Sequence, residues 1–259
     1  MDWIMYIIAG LGAGVITGLA GLSAALIITP ILVSVSGWES YDAATVALGA
    51  DILASYLTAY TFRKNKNVNI HHGVIIGSTA LVGTLIGSYS GFLFSQELPD
   101  GLGYISMITA IFVGLKFLVK PTNGGLKAED IKEQELSKPK ILFAMICSMG
   151  IGWVCGFTGS GGGILLLTLF TILLRYDLKV AVGTSTMIMT FVALVGTISH
   201  FTMGANVKMA PMALVVAACL VGAFYSSKFA NNCDIKRLNR IIGYVLIILG
   251  IVTILMKLL

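Results

Sequence analysis

Long apolar stretches without charge dominate the hydrophobic pattern of this chain. Residues 3–38 hold no charged side chain, and neither do residues 141–174. As straight helices these stretches would measure about 54 Å and about 51 Å at ~1.5 Å per residue, but the hydrocarbon core of a bilayer is only about 30 Å thick. Small residues interrupt both stretches near the middle, at 18–23 and 156–163, and glycine costs about 1 kcal/mol inside a helix. Each stretch is therefore predicted to be a helix, a glycine turn and a second helix.

Shorter apolar segments make up most of the remaining chain. Single membrane spans are predicted at 43–62, 72–95, 102–119, 180–201, 209–228 and 240–256. The polar stretch at 121–140 predicts a cytoplasmic linker between two membrane domains, a first repeat at 1–120 and a second at 141–259.

The composition is that of a protein whose solvent is lipid. Hydrophobic residues make up 57% of the 259 positions and charged residues only 11%, whereas soluble domains carry about 25% charged residues. This balance excludes a soluble enzyme, a nucleic-acid binder, a disordered protein and a secreted disulfide scaffold. The chain is predicted to be an all-α polytopic membrane protein.

The placement of basic residues distinguishes two topologies for the broken stretches. If both turn back as re-entrant hairpins, 15 of the 17 lysines and arginines lie on one side of the membrane. If each crosses once, the split becomes 11 against 6. Because basic residues concentrate in cytoplasmic loops, the hairpin topology is favoured. It predicts a multi-pass protein of the cytoplasmic (inner) membrane with its N-terminus outside.

The two halves resemble each other weakly along their whole length. Gly12, Gly14, Gly18 and Gly21 match Gly150, Gly152, Gly156 and Gly159 at one constant offset, and 46–49 matches 180–183. With re-entrant hairpins, each half has three full crossings. Because three is odd, the halves are predicted to be inverted-topology repeats, each a hairpin plus three transmembrane helices, an arrangement typical of secondary transporters.

The glycine turns can bind an anion through the backbone. A helix that begins inside the membrane directs unpaired N–H groups, with about half a positive charge, at whatever precedes it. Thr158, Ser160 and Ser23 add hydroxyl donors near the turns. A small tetrahedral or pyramidal oxyanion would suit such a ring of donors. Other glycines, at 10, 14 and 18 and at 83, 87 and 91, have the spacing of tight helix packing instead.

Asp51 is the one carboxylate deep within a predicted span. It lies nine residues beyond Asp42, and so about 13 Å into the membrane at ~1.5 Å per residue. An unpaired aspartate at the centre of a span costs about 2.5–3.5 kcal/mol, which predicts that Asp51 lines the pathway and carries a proton. The alternative is a structural aspartate that caps a broken helix, and both roles can coexist. His200, near the outer end of its span, is a candidate gate.

The segment 152–163, Gly-Trp-Val-Cys-Gly-Phe-Thr-Gly-Ser-Gly-Gly-Gly, resembles the signature of the TauE/SafE family of sulfite exporters, and so does 182–185, Val-Gly-Thr-Ser. The resemblance implies secondary transport of small sulfur-containing anions such as sulfite, thiosulfate, sulfoacetate or other sulfonates. It also implies substrate contacts at Gly159, Ser160, Gly161, Gly162, Gly163, Thr184 and Ser185. The first half departs from this pattern with Ser23 in place of a glycine run and Asp51 in place of a Thr-Ser pair. That departure predicts an asymmetric site in which the first half supplies the coupling group.

The predicted function is a secondary transporter that binds a sulfur-containing anion at Gly21, Ser23, Thr158, Ser160 and the glycine run 159–163. Thr184 and Ser185 are further predicted contacts, with proton coupling through Asp51. Its partners are the anion, the bilayer and protons; no cofactor, metal or nucleic acid is expected. The alternative is a channel for small anions without coupling. An intramembrane enzyme would need two convergent catalytic groups, and only one deep carboxylate is present.

Overall fold

The computed structural model describes residues 2–97 and 138–234, together with residues 237, 238, 240, 241 and 244. These residues form eight α-helices and no β-strand: α1 Asp2–Ala20, α2 Ala25–Ser36, α3 Ser40–Lys64, α4 Ile70–Glu97, α5 Lys138–Thr158, α6 Gly163–Thr168, α7 Leu178–Thr202 and α8 Met209–Asn232. A π-helical turn, Leu169–Leu173, continues α6. Within the described ranges, six helices (α1, α3, α4, α5, α7 and α8) are long and apolar enough to cross a membrane. The prediction of an all-helical, multi-span protein is confirmed.

The predicted spans agree with the described helices to within a few residues. Predicted spans 43–62, 72–95, 180–201 and 209–228 correspond to α3, α4, α7 and α8, and the broken stretches correspond to α1 with α2 and α5 with α6. The predicted span 102–119 and most of 240–256 and of the linker 121–140 lie outside the described residues.

The first broken stretch is a hairpin whose arms return to the same end. Trp38, just beyond α2, donates its indole N–H to the hydroxyl of Tyr6 in the second turn of α1, at 3.4 Å. The two rings pack edge to face with centroids 6.4 Å apart. Gly21 turns the chain with a φ of +65°, a conformation that costs other residues roughly 1–2 kcal/mol. The chain therefore enters and leaves this hairpin on one side.

The second broken stretch turns back in the same way. Gly159 and Gly162 have φ values of +65° and +68°, and Gly162 lies against the sulfur of Cys155 in the last turn of α5. After the π-helical turn, the hydroxyl of Tyr176 is hydrogen-bonded to Nδ1 of His72 at the start of α4. That end of α4 lies beside the first half of α5, because the two helices run in the same direction: Ser148 of α5 donates to the carbonyl oxygen of Ile76 at 2.9 Å, and Gly156 packs on Thr84 further along α4. Both glycine segments are thus hairpin tips.

Glycines allow each hairpin to pack closely on a helix from the other half. A Cβ on Gly14 of α1 would collide with the carbonyl oxygen of Cys219 in α8, and one on Gly18 would collide with the Ser226 hydroxyl. A Cβ on Gly83 of α4 would likewise collide with the carbonyl oxygen of Met149 in α5. The helices meet backbone to backbone with small residues between them, as membrane helices do. The prediction of tight packing at 10, 14 and 18 and at 83, 87 and 91 is confirmed.

Helices α3 and α7 cross the middle of the protein side by side in opposite directions. Thr45 near the start of α3 contacts His200 near the end of α7, and the hydroxyl groups of Ser55 and Thr190 lie 2.9 Å apart. Gly183, near the start of α7, packs on Phe62 near the end of α3. Both hairpins rest on this central pair, which therefore determines where the two tips meet.

Candidate functional site

The two hairpin tips touch each other beside the midpoint of α3. Gly163, at the start of α6, lies against the carbonyl oxygen of Gly21 at the tip of the first hairpin. The backbone N–H of Gly161 donates to the hydroxyl of Ser23 at 2.9 Å. Gly161, Gly163 and Ser23 are all buried. The structure thus brings the two glycine segments of the predicted site into direct contact.

The carboxylate of Asp51 accepts hydrogen bonds from both hairpin tips, and this contact between the tips and Asp51 is called the Asp51 junction. Oδ1 accepts the backbone N–H of Ala24 at 2.7 Å, and Oδ2 accepts the hydroxyl of Ser23 at 2.6 Å. Oδ2 also lies 3.3 Å from the backbone nitrogen of Gly161 as a second acceptor for its N–H group. One carboxylate therefore binds donors from both hairpins, and none of its three partners carries a positive charge.

The position of Asp51 explains how the first hairpin tip is stabilised. Ala24 directly precedes α2, so its N–H group belongs to the positive end of that helix, where an anion is favourable. The hydroxyl of Ser23 also accepts the N–H of Ala25 at 3.2 Å. Hydrogen bonds to a charged group contribute about 1.5–3 kcal/mol each, and here they offset the cost of a carboxylate that is fully buried. The capping role considered for Asp51 in the sequence is confirmed; its role in coupling stays a prediction.

The hydroxyls of the second tip face each other and the end of α5. Thr158 lies 2.8 Å from the carbonyl oxygen of Val154 and 3.1 Å from the hydroxyl of Ser160. The backbone N–H of Ser160 donates to the carbonyl oxygen of Cys155 at 3.0 Å. Of the polar side chains in this tip, Ser160 is the more exposed and Thr158 is buried. Thr158 directly precedes the predicted glycine run 159–163, and Ser160 lies within it.

The side chains of Thr184 and Ser185, the Thr-Ser pair of α7, contact different parts of the protein. Ser185 lies beside Gly21, whose Cβ would stand 3.4 Å from the Ser185 hydroxyl, and so borders the first tip. Thr184 instead accepts the backbone N–H of Asn69 at 3.0 Å, in the loop between α3 and α4. The structure therefore brings Ser185 to the tips but not Thr184, because successive residues of a helix point about 100° apart.

His200 is a buried link between the three helices α3, α5 and α7. Its Nδ1 lies 3.0 Å from the hydroxyl of Thr45, and its Nε2 lies 3.3 Å from the carbonyl oxygen of Gly156. Its ring stacks on Tyr41 with centroids 4.3 Å apart. His200 is therefore not part of the Asp51 junction. It fills the space between the start of α3 and the ends of α5 and α7.

Met189 was not predicted and covers the second tip. A Cβ at Gly161 would lie 2.8 Å from Cγ of Met189, and one at Gly163 would lie 3.0 Å from its sulfur. Methionine adapts its shape readily, so it fills the space beside the bare glycine backbone. Its place on α7, four residues after Ser185, is the signal by which it could have been found, because residues four apart share a helix face.

In the described ranges, no group of three or more His, Cys, Asp or Glu side chains is placed to hold a metal ion. The arrangement at Asp51 instead consists of hydroxyl groups and backbone N–H groups. Such donors bind anions and protonatable carboxylates.

A comparison with known protein families identifies the family of this chain. A family model described as "Sulfite exporter TauE/SafE" matches residues 6–253. The chain belongs to the TauE/SafE family. The resemblance seen in segments 152–163 and 182–185 is thereby confirmed over nearly the whole sequence, and this is a family of membrane transporters.

Curated relatives of this family agree with that placement. The chain is 26% identical over 264 aligned residues to "Probable membrane transporter protein YunE" of Bacillus subtilis, covering 96% of each chain. It is 24% identical to a "Probable membrane transporter protein" of Methanocaldococcus jannaschii, over 90% of this chain and 86% of the relative. A third relative with the same description, YdhB of Bacillus subtilis, is 24% identical over 84% of this chain and 86% of its own. No solved structure matches the chain.

Proposed function

We propose that this protein is a secondary transporter that moves a small sulfur-containing anion, such as sulfite, thiosulfate, sulfoacetate or another sulfonate, across the cytoplasmic membrane. The observation that carries the proposal is the meeting of two glycine-rich hairpin tips beside Asp51, with backbone N–H groups from both tips directed at one anionic group. Backbone donors of this kind suit an oxyanion. The name of the matched family supports the class of substrate.

The two halves act as inverted repeats in this proposal. Helices α3 and α7 occupy corresponding places in the two halves, and they run antiparallel, as the Thr45–His200 and Ser55–Thr190 contacts require. A two-fold axis that exchanges two antiparallel helices must lie perpendicular to them, and therefore in the membrane plane. The exchange also relates the pair of α1 and α8 to the pair of α5 and α4. Rocking of one repeat against the other would then expose the tips to each side in turn.

Asp51 couples transport to protons in this proposal. A carboxylate at the binding site repels an anion unless it is protonated, so that anion and proton would travel together.

The proposal also includes an orientation in the membrane. The N-terminus lies outside, and the basic residues at 63, 64 and 66 face the cytoplasm.

Flux measurements in proteoliposomes test the proposal. Purified protein is reconstituted, and uptake of sulfite, thiosulfate and sulfoacetate is followed with and without a pH gradient. We expect saturable flux that a pH gradient accelerates, and an Asp51→Asn variant that no longer responds to the gradient. Current that does not saturate would instead favour an anion channel. A variant that transports and couples like the parent would exclude Asp51 as the coupling group.

A further inference from the structure

The donors around Asp51 fit its ionised form. Oδ1 faces the N–H of Ala24, and Oδ2 faces the hydroxyl of Ser23 and the N–H of Gly161. The hydroxyl of Ser23 cannot readily accept a hydrogen bond from a protonated Asp51 in return, because its oxygen already accepts the N–H groups of Gly161 and Ala25. If Asp51 were neutral, the proton of its carboxyl group would therefore face only other hydrogen-bond donors. This arrangement belongs to a state in which Asp51 is negatively charged.

The space beside the N–H of Gly161 is already filled. A Cβ there would lie 2.8 Å from Asp51 Oδ2 and 2.8 Å from Met189. In the same tip, Gly163 lies against the carbonyl oxygen of Gly21. A substrate oxyanion is much larger than a methyl group, so it cannot reach Gly161 until Asp51 and Met189 withdraw.

We propose that the Asp51 carboxylate is a tethered competitor of the substrate, bound to the same backbone N–H groups that the substrate anion takes in its turn. This inference rests on the proposed function and deepens it. When Asp51 takes up a proton from water, its attraction to the N–H groups weakens and the repulsion of an incoming anion disappears. The anion then replaces it at Gly161, and the proton returns to water when the anion leaves and Asp51 binds again.

The sign of the pH dependence follows from this exchange. Lowering the pH protonates Asp51 and favours anion binding, whereas raising the pH restores the competing charge. Above the midpoint of the Asp51 titration, affinity should fall about tenfold per pH unit, because one proton is bound with each anion. The described titratable groups that interact with Asp51 from neighbouring helices are the thiols of Cys155 and Cys219, which are neutral near pH 7.

A binding titration on the full chain in lipid nanodiscs tests the proposal. Thiosulfate and methanesulfonate are the probes, because their own charge does not change from about pH 5.5 to about pH 8.5, whereas sulfite takes up a proton there. Binding is measured by calorimetry across that range for the wild type and Asp51→Asn. The matched control is Asp42→Asn, because Asp42 accepts the N–H of Asn206 at 2.9 Å at the outer surface, away from the tips.

The wild type and the Asp42→Asn control should both bind more weakly as the pH rises. Asp51→Asn should bind with an affinity independent of pH, and at the alkaline end at least about tenfold more tightly than the wild type. Weaker binding by a folded Asp51→Asn variant, or a wild-type affinity that is constant across the range, would overturn the competition. Saturable transport in that case would leave the proposed function intact. Absence of both binding and flux in the wild type would overturn both. The wild-type titration decides the question even if Asp51→Asn does not fold.

Discussion

Gly163 in the second hairpin lies directly against the carbonyl oxygen of Gly21 in the first, and the sulfur of Met189 also lies close to it. The two halves of the protein therefore meet backbone to backbone. A contact of this kind can be tested by adding a single methyl group.

Gly163→Ala should destabilise the protein and abolish transport. The added methyl group collides with a backbone oxygen that cannot move without displacing the Gly21 tip, and overpacking of this kind typically costs about 1–3 kcal/mol. Thermal unfolding in nanodiscs measures the stability, and anion flux measures the function. The matched control is Gly150→Ala in α5, where a Cβ would meet nothing within 4 Å and alanine should be neutral or stabilising by up to ~1 kcal/mol. Equal stability of the two variants would exclude close contact between the tips.

The packing of α1 on α8 gives a second comparison between neighbouring glycines. Gly14→Ala should lower the free energy of unfolding by about 1–3 kcal/mol, because its methyl group would overlap the carbonyl oxygen of Cys219. Gly12→Ala on the same helix should be tolerated, because its Cβ would stand 3.6 Å from Ile27, an ordinary contact. Denaturation of both variants in the same lipid measures the difference. A larger loss from Gly12→Ala would contradict the packing of α1 on α8.

The hairpin topology predicts which residues share one side of the membrane. With the native cysteines replaced, single cysteines at Trp3 and Glu39 should react with an impermeant maleimide added outside intact cells. Cysteines at Lys66 and Arg175 should react only after permeabilisation. All four positions are exposed in the structure. Labelling of Trp3 and Glu39 from opposite sides would mean that the first broken stretch crosses the membrane.

His200→Ala should loosen the packing of α3, α5 and α7 around this histidine. The variant loses contacts with Thr45 and Gly156 and the stack on Tyr41, and hydrogen bonds contribute about 0.5–1.5 kcal/mol each. If His200 is a gate, passive efflux of a trapped anion from proteoliposomes should rise several-fold. The control is His71→Ala, at an exposed position at the start of α4. A His200→Ala variant that is less stable but no leakier than the control would reduce the histidine to a packing role.

The sequence by itself determined the class of the protein, the approximate helices and the positions of the two breaks. These properties depend on local composition: a charged fraction of 11% cannot cover a water-exposed surface, and clusters of glycine and other small residues disfavour a continuous helix. The distribution of basic residues also favoured hairpins over crossings. The contact between Trp38 and Tyr6 agrees with that choice.

Only the tertiary structure decided which polar groups meet at the tips. Ser23 and Asp51 lie 28 positions apart, and Gly161 lies 110 beyond Asp51; no local pattern records that these groups share hydrogen bonds. The same holds for Thr184, which adjoins Ser185 in the sequence but binds the loop at Asn69, because the rotation of α7 against its neighbours sets the direction of each side chain. The hydrogen-bond partners of Asp51 are therefore determined by packing between helices that are distant in sequence, not by the conformational preference of any one segment.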